Sequence, residues 1–165
     1  MGLEDKTNWT DLTAELEIQA LLDYKAKAVT YLTVVGERCV KYARDDMSAA
    51  RHFTDRTGNL RNSIGYIVVQ DGRVKLDSFV GNTPPSEGNK GDASMAHQKG
   101  LSYAEQVART YSPDKTYLIV VAGMEYAVCV EAKGFDVITG THDWVESNVT
   151  KFRAEFKRYL QSKVR

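Results

Sequence analysis

Residues 64–80 read IGYIVVQDGRVKLDSFV, and this stretch decides the architecture. From Ile64 to Val69, β-branched and aromatic residues occupy both parities, the pattern of a strand covered on both faces. Asp71-Gly72 is a two-residue hairpin signal, because both residues tolerate the positive φ of a tight primed turn. The return strand alternates, with Val74, Leu76 and Val80 on one face and Arg73, Lys75 and Asp77 on the other. An antiparallel hairpin is predicted.

Working back from the hairpin, Thr57-Gly58-Asn59 is a turn cluster that stops a helix and redirects the chain. Before it, Ile18, Leu21, Leu22, Ala28, Val29, Leu32, Val35, Cys39, Ala43 and Met47 recur at three- and four-residue spacing. They form one stripe of a long amphipathic helix, predicted to start between Thr10 and Thr13 and to end near Arg51. Gly36 interrupts it at about 1 kcal/mol relative to Ala, so a bend or a close contact is expected there. Residues 1–10 are polar and read as a flexible tail.

Beyond the hairpin, Gly81 to Asp92 (GNTPPSEGNKGD) has too few apolar groups to bury. Residues 81–100 are predicted to be an exposed loop. Ser102 with Glu105 reads as a capping box for a short helix striped by Ala104, Val107, Ala108 and Tyr111 and ended by Pro113. Thr116 to Ala122 (TYLIVVA) is a continuous apolar strand, predicted to be central in the sheet. Tyr126 to Ala132 fits a strand by alternation and a helical turn by the spacing of Tyr126 and Val130. Asp143 with Glu146 reads as a second capping box, followed by the stripe Val145, Val149, Phe152, Phe156, Leu160 and Val164 of a C-terminal helix. No repeat or linker divides the chain. The fold predicted for 1–165 is one α+β domain: a small, mostly antiparallel sheet of about three to five strands packed by long N-terminal and C-terminal helices.

Lys plus Arg total 22, as do Asp plus Glu, and this neutrality gives no support for bulk attraction to nucleic acid. Cys39 and Cys129 sit in apolar runs and read as buried thiols of a reducing compartment. The longest apolar run, Tyr117 to Gly123, falls far short of the roughly 20 residues of a membrane span, so no membrane association is expected. Nor is there a phosphate loop ending in Lys-Ser/Thr, a G-x-S-x-G elbow or an HExxH pair. His52, His97 and His142 lie far apart without partners at metal-ligand spacing. Cys129 with His142 could form a nucleophile and base, but a thiol between two valines reads as packing. Asp45, Asp46, Asp136, Asp143 and Glu146 could serve as hydrolase carboxylates or metal ligands, but Asp45 and Asp46 fit a solvated helix face equally well and Asp143 with Glu146 is explained as a cap. The residues therefore predict no catalytic, cofactor or metal site, and a protein that is not an enzyme.

The distribution of charge says more than its total. Up to Asp23 the chain carries Glu4, Asp5, Asp11, Glu15, Glu17 and Asp23 against Lys6 alone. From Lys151 it carries Lys151, Arg153, Lys157, Arg158, Lys163 and Arg165 against Glu155 alone. Two solvated helix faces would explain this, as would complementary ends that register neighbouring copies. A nucleic-acid-binding module built on the basic helix is the alternative; without interleaved exposed aromatics, direct nucleic-acid contact ranks last.

Thr57 to Ile64 (TGNLRNSI) resembles the T-G-x-L-R-x-S-I signature of a family of small long-tailed-bacteriophage proteins, the minor tail, tail-completion or head–tail joining components. The family's element order is similar too: a long N-terminal helix, this motif, a strand pair, a Y-A-x-x-V-E segment and a C-terminal helix. Tyr126 to Glu131 (YAVCVE) supplies the second motif. The chain departs from the pattern after Glu131, where its Gly-Thr comes only at Gly140-Thr141 and without a proline, and in the long stretch between Val80 and Thr116.

The resemblance implies a virion structural protein, made in the bacterial host cytoplasm, that closes the tail top or neck. Such proteins act as rings, often six-fold, touching copies of themselves and tail-tube and neck or connector proteins. On the residues alone, Gly58 permits a positive φ, Leu60 and Ile64 can anchor the turn, and Thr57 or Asn59 can satisfy backbone groups. Arg61 reads either as part of that punctuation or as a fork for a neighbour's carboxylate. With Lys157 and Arg158 it makes up the candidate subunit-interface residues.

Overall fold

In the computed structural model, which describes residues 9–46, 53–54, 56–80 and 91–162, helix α1 runs Trp9–Lys41. It continues as a π-helical turn, Tyr42–Asp46. Trp9 and Thr10 are thus helical rather than tail, and the predicted helix end at Met47–Arg51 lies outside the described residues. The stripe is buried only in its later part, through Ala28, Val35, Cys39 and Ala43, joined by Val40. Gly36 makes the expected close contact, against the ring of Tyr66.

Gly58, at φ 80°, redirects the chain into a short helix, α2 (Asn59–Ser63), which runs directly into strand β1 (Ile64–Gln70). All seven residues of β1 are buried. Asp71 and Gly72 take φ of 52° and 70°, the primed turn that the dipeptide predicts, and strand β2 (Arg73–Asp77) returns. The pairing slips between Val68 and Val69, so that Leu76 faces Val68 while Val74 faces Val69. Directly opposed side chains share a face, and consecutive ones do not. This bulge puts Val74 and Leu76 on opposite faces, not on one as simple alternation predicts.

Helix α3 spans Ala93–Ala108. Its N-cap is Asp92, whose side chain accepts from the Met95 N–H at 3.0 Å. Residues 93–100 are therefore helix rather than exposed loop, with Ala96 and Gly100 buried; 81–90 lie outside the described residues. Ser102 and Glu105 fall mid-helix and cap nothing, and the helix ends well before Pro113. Strand β3 (Thr116–Ala122) follows, then helix α4 (Ala127–Ala132), which resolves the open segment as helical. Helix α5 (Thr139–Ser162) begins a turn ahead of the predicted Asp143–Glu146 box.

The sheet order is β2-β1-β3, antiparallel throughout. The central strand is β1, and TYLIVVA is an edge, contrary to expectation. Tyr66 and Val68, with Leu118 and Val120 beside them, face Val40 of α1. Ile67, Val69, Ile119 and Val121 face Phe79, just after β2, and Ala104 of α3. Each large side chain so buried contributes about 2 kcal/mol. α5 lies antiparallel beside α1, with Tyr42 stacked on Trp144 at 5.1 Å and Tyr31 against Phe156 at 5.1 Å. The predicted α+β class, with a small antiparallel sheet and long terminal helices, is what the chain adopts.

Candidate interaction surface

Each position of TGNLRNSI has a local task. The Gly58 carbonyl accepts from the Asn62 backbone N–H at 2.9 Å and from Asn62 Nδ2 at 2.8 Å. Thr57 Oγ1 accepts from the Asn59 N–H at 3.3 Å, and its carbonyl from Gly91 N–H at 2.7 Å. Leu60 and Ile64 enter a core cluster with Phe53, Ala96, Met124 and Val137. Ser63 Oγ, wholly buried, donates to the Leu60 carbonyl at 2.8 Å and accepts from the Met124 N–H at 3.2 Å. The segment thus joins the start of β1 to the approach to α3 and to the chain leaving β3.

Arg61 serves the same junction. Its side chain is 19% exposed and its Nη1 lies 3.5 Å from Asp45 Oδ1. Beside it, Arg44 Nη2 donates to the Ile64 carbonyl at 2.5 Å. Burial, then the neighbouring Arg61 charge, pulls the Arg44 pKa down, while the Asp45 and Glu37 carboxylates oppose the shift.

The second motif ends on a carboxylate that meets the start of α5. Glu131 Oε1 accepts from the Ile138 N–H at 2.8 Å, the Thr139 N–H at 3.0 Å and Thr139 Oγ1 at 3.1 Å. Asp136 Oδ1 accepts from the Gly140 N–H at 2.8 Å. Two acidic groups therefore meet the unpaired donors and the positive dipole end of α5. Burial pushes the Glu131 carboxyl up, but these hydrogen bonds outweigh it and hold it below the ordinary glutamate value.

Lys157 and Arg158 are exposed on α5, level with Tyr24 and Tyr31 of α1. Asp45, the partner of Arg61, lies about 20 Å further along the α1 axis at 1.5 Å per residue. The structure does not bring the three candidate interface residues together.

Among the described residues, grooves with an apolar lining lie along the helices and the sheet edge. One, of about 690 Å³, runs between α1 and α5 and is floored by Leu118. Another, of about 500 Å³, follows β3 between Tyr103 and Val107 of α3 and Val128 and Ile138 near α4. Among the described residues no group of three His, Cys, Asp or Glu side chains is placed to hold a metal. His97 is partly buried and its Nε2 has no partner among the described residues; burial, then Arg44, lowers its pKa. Cys39 is buried, but Cys129 is exposed on α4, contrary to the reading of both as buried thiols. No family model, curated protein or solved structure matches the chain.

Proposed function

We propose that this chain is a virion assembly protein of a long-tailed bacteriophage, a minor tail or head–tail joining (tail-completion) component acting through protein contacts in a ring. The observation that carries the reading is the stretch TGNLRNSI, followed in order by a strand pair, YAVCVE and a C-terminal helix. Support comes from the surface as well. Leu16, Ile18, Leu21 and Leu22 stand more than half exposed on α1, the kind of apolar surface that another protein covers. In this role the chain works by contact with copies of itself and with tail-tube and neck proteins.

Deletion of the gene from the phage or prophage tests the proposal by electron microscopy of the lysate. The expected result is DNA-filled heads and complete-looking tails that do not join, restored by supplying the chain in trans. Normal joined particles from the deletion would overturn it. Salt-sensitive DNA or RNA binding that is lost on charge removal at Lys157 and Arg158 would move the chain to the nucleic-acid class.

A further inference from the structure

We propose that residues 9–22 of α1 form an arm that seats in the α1–α5 groove of a second copy of this chain. The arm starts where the sheet ends. Gln70 Nε2 donates to the Lys25 carbonyl at 2.9 Å, and Lys25 Nζ bonds Asp71 at 2.7 Å, so the hairpin turn stands level with Lys25. Every side chain from Thr13 to Tyr24 is exposed. Ile18, Leu21 and Leu22 continue the face that, further along, buries Ala28, Val35 and Cys39, but among the described residues nothing covers them. Apolar side chains left in water gain about 25 cal/mol per Å² when covered, so the arm gains stability from a partner.

The groove offers what the arm lacks. It is lined by Leu32, Val35, Leu118, Val149, Phe152 and Phe156, an apolar trough along α1 from Leu21 to Val35. That span is about 21 Å at 1.5 Å per residue, the same as the length of residues 9–22. The charges match as well. Glu15 and Glu17 flank the arm's apolar face on its two sides at about 100° per residue, and no basic residue lies between Thr13 and Tyr24. Lys25, Lys115 and Arg153 stand along the groove against Asp114 alone. Because the arm and the groove meet only at Leu21 and are otherwise different surfaces of one chain, the contact is heterologous, and such contacts close into rings when the rotation permits. The inference rests on the ring reading above for its setting.

The test is the mass of the full chain by light scattering at concentrations up to about 100 µM, for the wild type and the double variant I18K/L22K. Wild type is expected to associate, and the variant to lose at least about tenfold in association constant while unfolding at the same temperature, since Ile18 and Leu22 are more than half exposed in their own copy. A charge swap guards against a trivial loss. E15K/E17K and K115E/R153E should each associate weakly alone and better when mixed. A monomeric wild type, or arm variants that associate undiminished, would overturn the arm-in-groove contact. The deletion phenotype judges the head–tail role separately, so an oligomer that ignores the arm removes this inference and leaves that reading standing.

Discussion

Tyr66, wholly buried in the central strand, presses its ring against Gly36 of α1 so closely that a methyl group there would stand 2.6 Å from Cδ2. The ring is not free to swing aside, because its hydroxyl donates to Glu37 Oε1 at 2.8 Å. Gly36→Ala sets two effects against each other. Helix propensity favours Ala by about 1 kcal/mol, whereas overpacking a filled core costs about 1–3 kcal/mol. Packing should win, with net destabilisation of up to about 2 kcal/mol and a melting temperature lower by up to roughly 8 °C. A variant more stable than the wild type would mean that α1 can lift from the sheet at this point.

Ser63 makes the motif's most enclosed polar contact, between the Leu60 carbonyl and the Met124 N–H. Ser63→Ala leaves that buried N–H without its acceptor, a loss of about 1–3 kcal/mol. Urea unfolding should show a lower midpoint with an unchanged slope. An unchanged midpoint would mean that the serine is present for something other than the fold.

The hairpin was legible because everything that makes it is local: a run of β-branched residues and an Asp-Gly turn. The bulge that turns Val74 from Leu76 was not, since it is a property of the pairing between β1 and β2 and leaves no mark in the alternation of β2 itself. Ile64–Val69 and Thr116–Ala122 read alike as apolar runs, and only the tertiary pairing makes the first central and the second an edge. The start of α3 was missed because its buried stripe, Ala96, Gly100 and Ala104, consists of small residues with little apolar signal. Gly100, like Gly65 in β1, faces the Phe79 ring, a close packing that no local pattern announces. Of the candidate surface, the opposed charges of the two terminal helices were visible; their side-by-side, antiparallel placement was not.

Glu131 yields a pH dependence of known sign. Its folded pKa lies below the unfolded value of about 4.3, so its contribution is fully present above that pH and is lost as pH falls through the folded pKa. Glu131→Ala removes the acceptor for three donors at the start of α5 and should cost about 1 kcal/mol at neutral pH, the usual worth of a helix cap. Other carboxylates titrate in the same range, Glu155 beside Arg38 among them. The informative quantity is therefore the gap in stability between wild type and variant, measured by denaturant unfolding from about pH 7 down to about pH 3. It should narrow in acid. A gap that persists at the lowest pH would assign the loss to packing of the side chain rather than to its charge.

The two cysteines give a test of how α1 and α4 sit. Cys39 of α1 is 1% exposed, enclosed with Phe152 of α5 and Leu118 of β3, and burial pushes its thiol up to about 11. At neutral pH only about one such thiol in ten thousand is ionised, and that fraction is enclosed. Cys129 lies on the outer side of α4, next to Val128 at 73% exposure, where a reagent reaches it directly. Ellman's reagent should therefore titrate one thiol per native chain within minutes and the second only as the chain opens. Cys129→Ser should remove the fast reaction and leave the slow one. The slow rate then reports the opening of the α1–sheet interface, and Gly36→Ala, which strains that interface, should speed it. Two fast thiols in the wild type would mean that α1 is not closed over the sheet; two slow ones would mean that the outer side of α4 is covered.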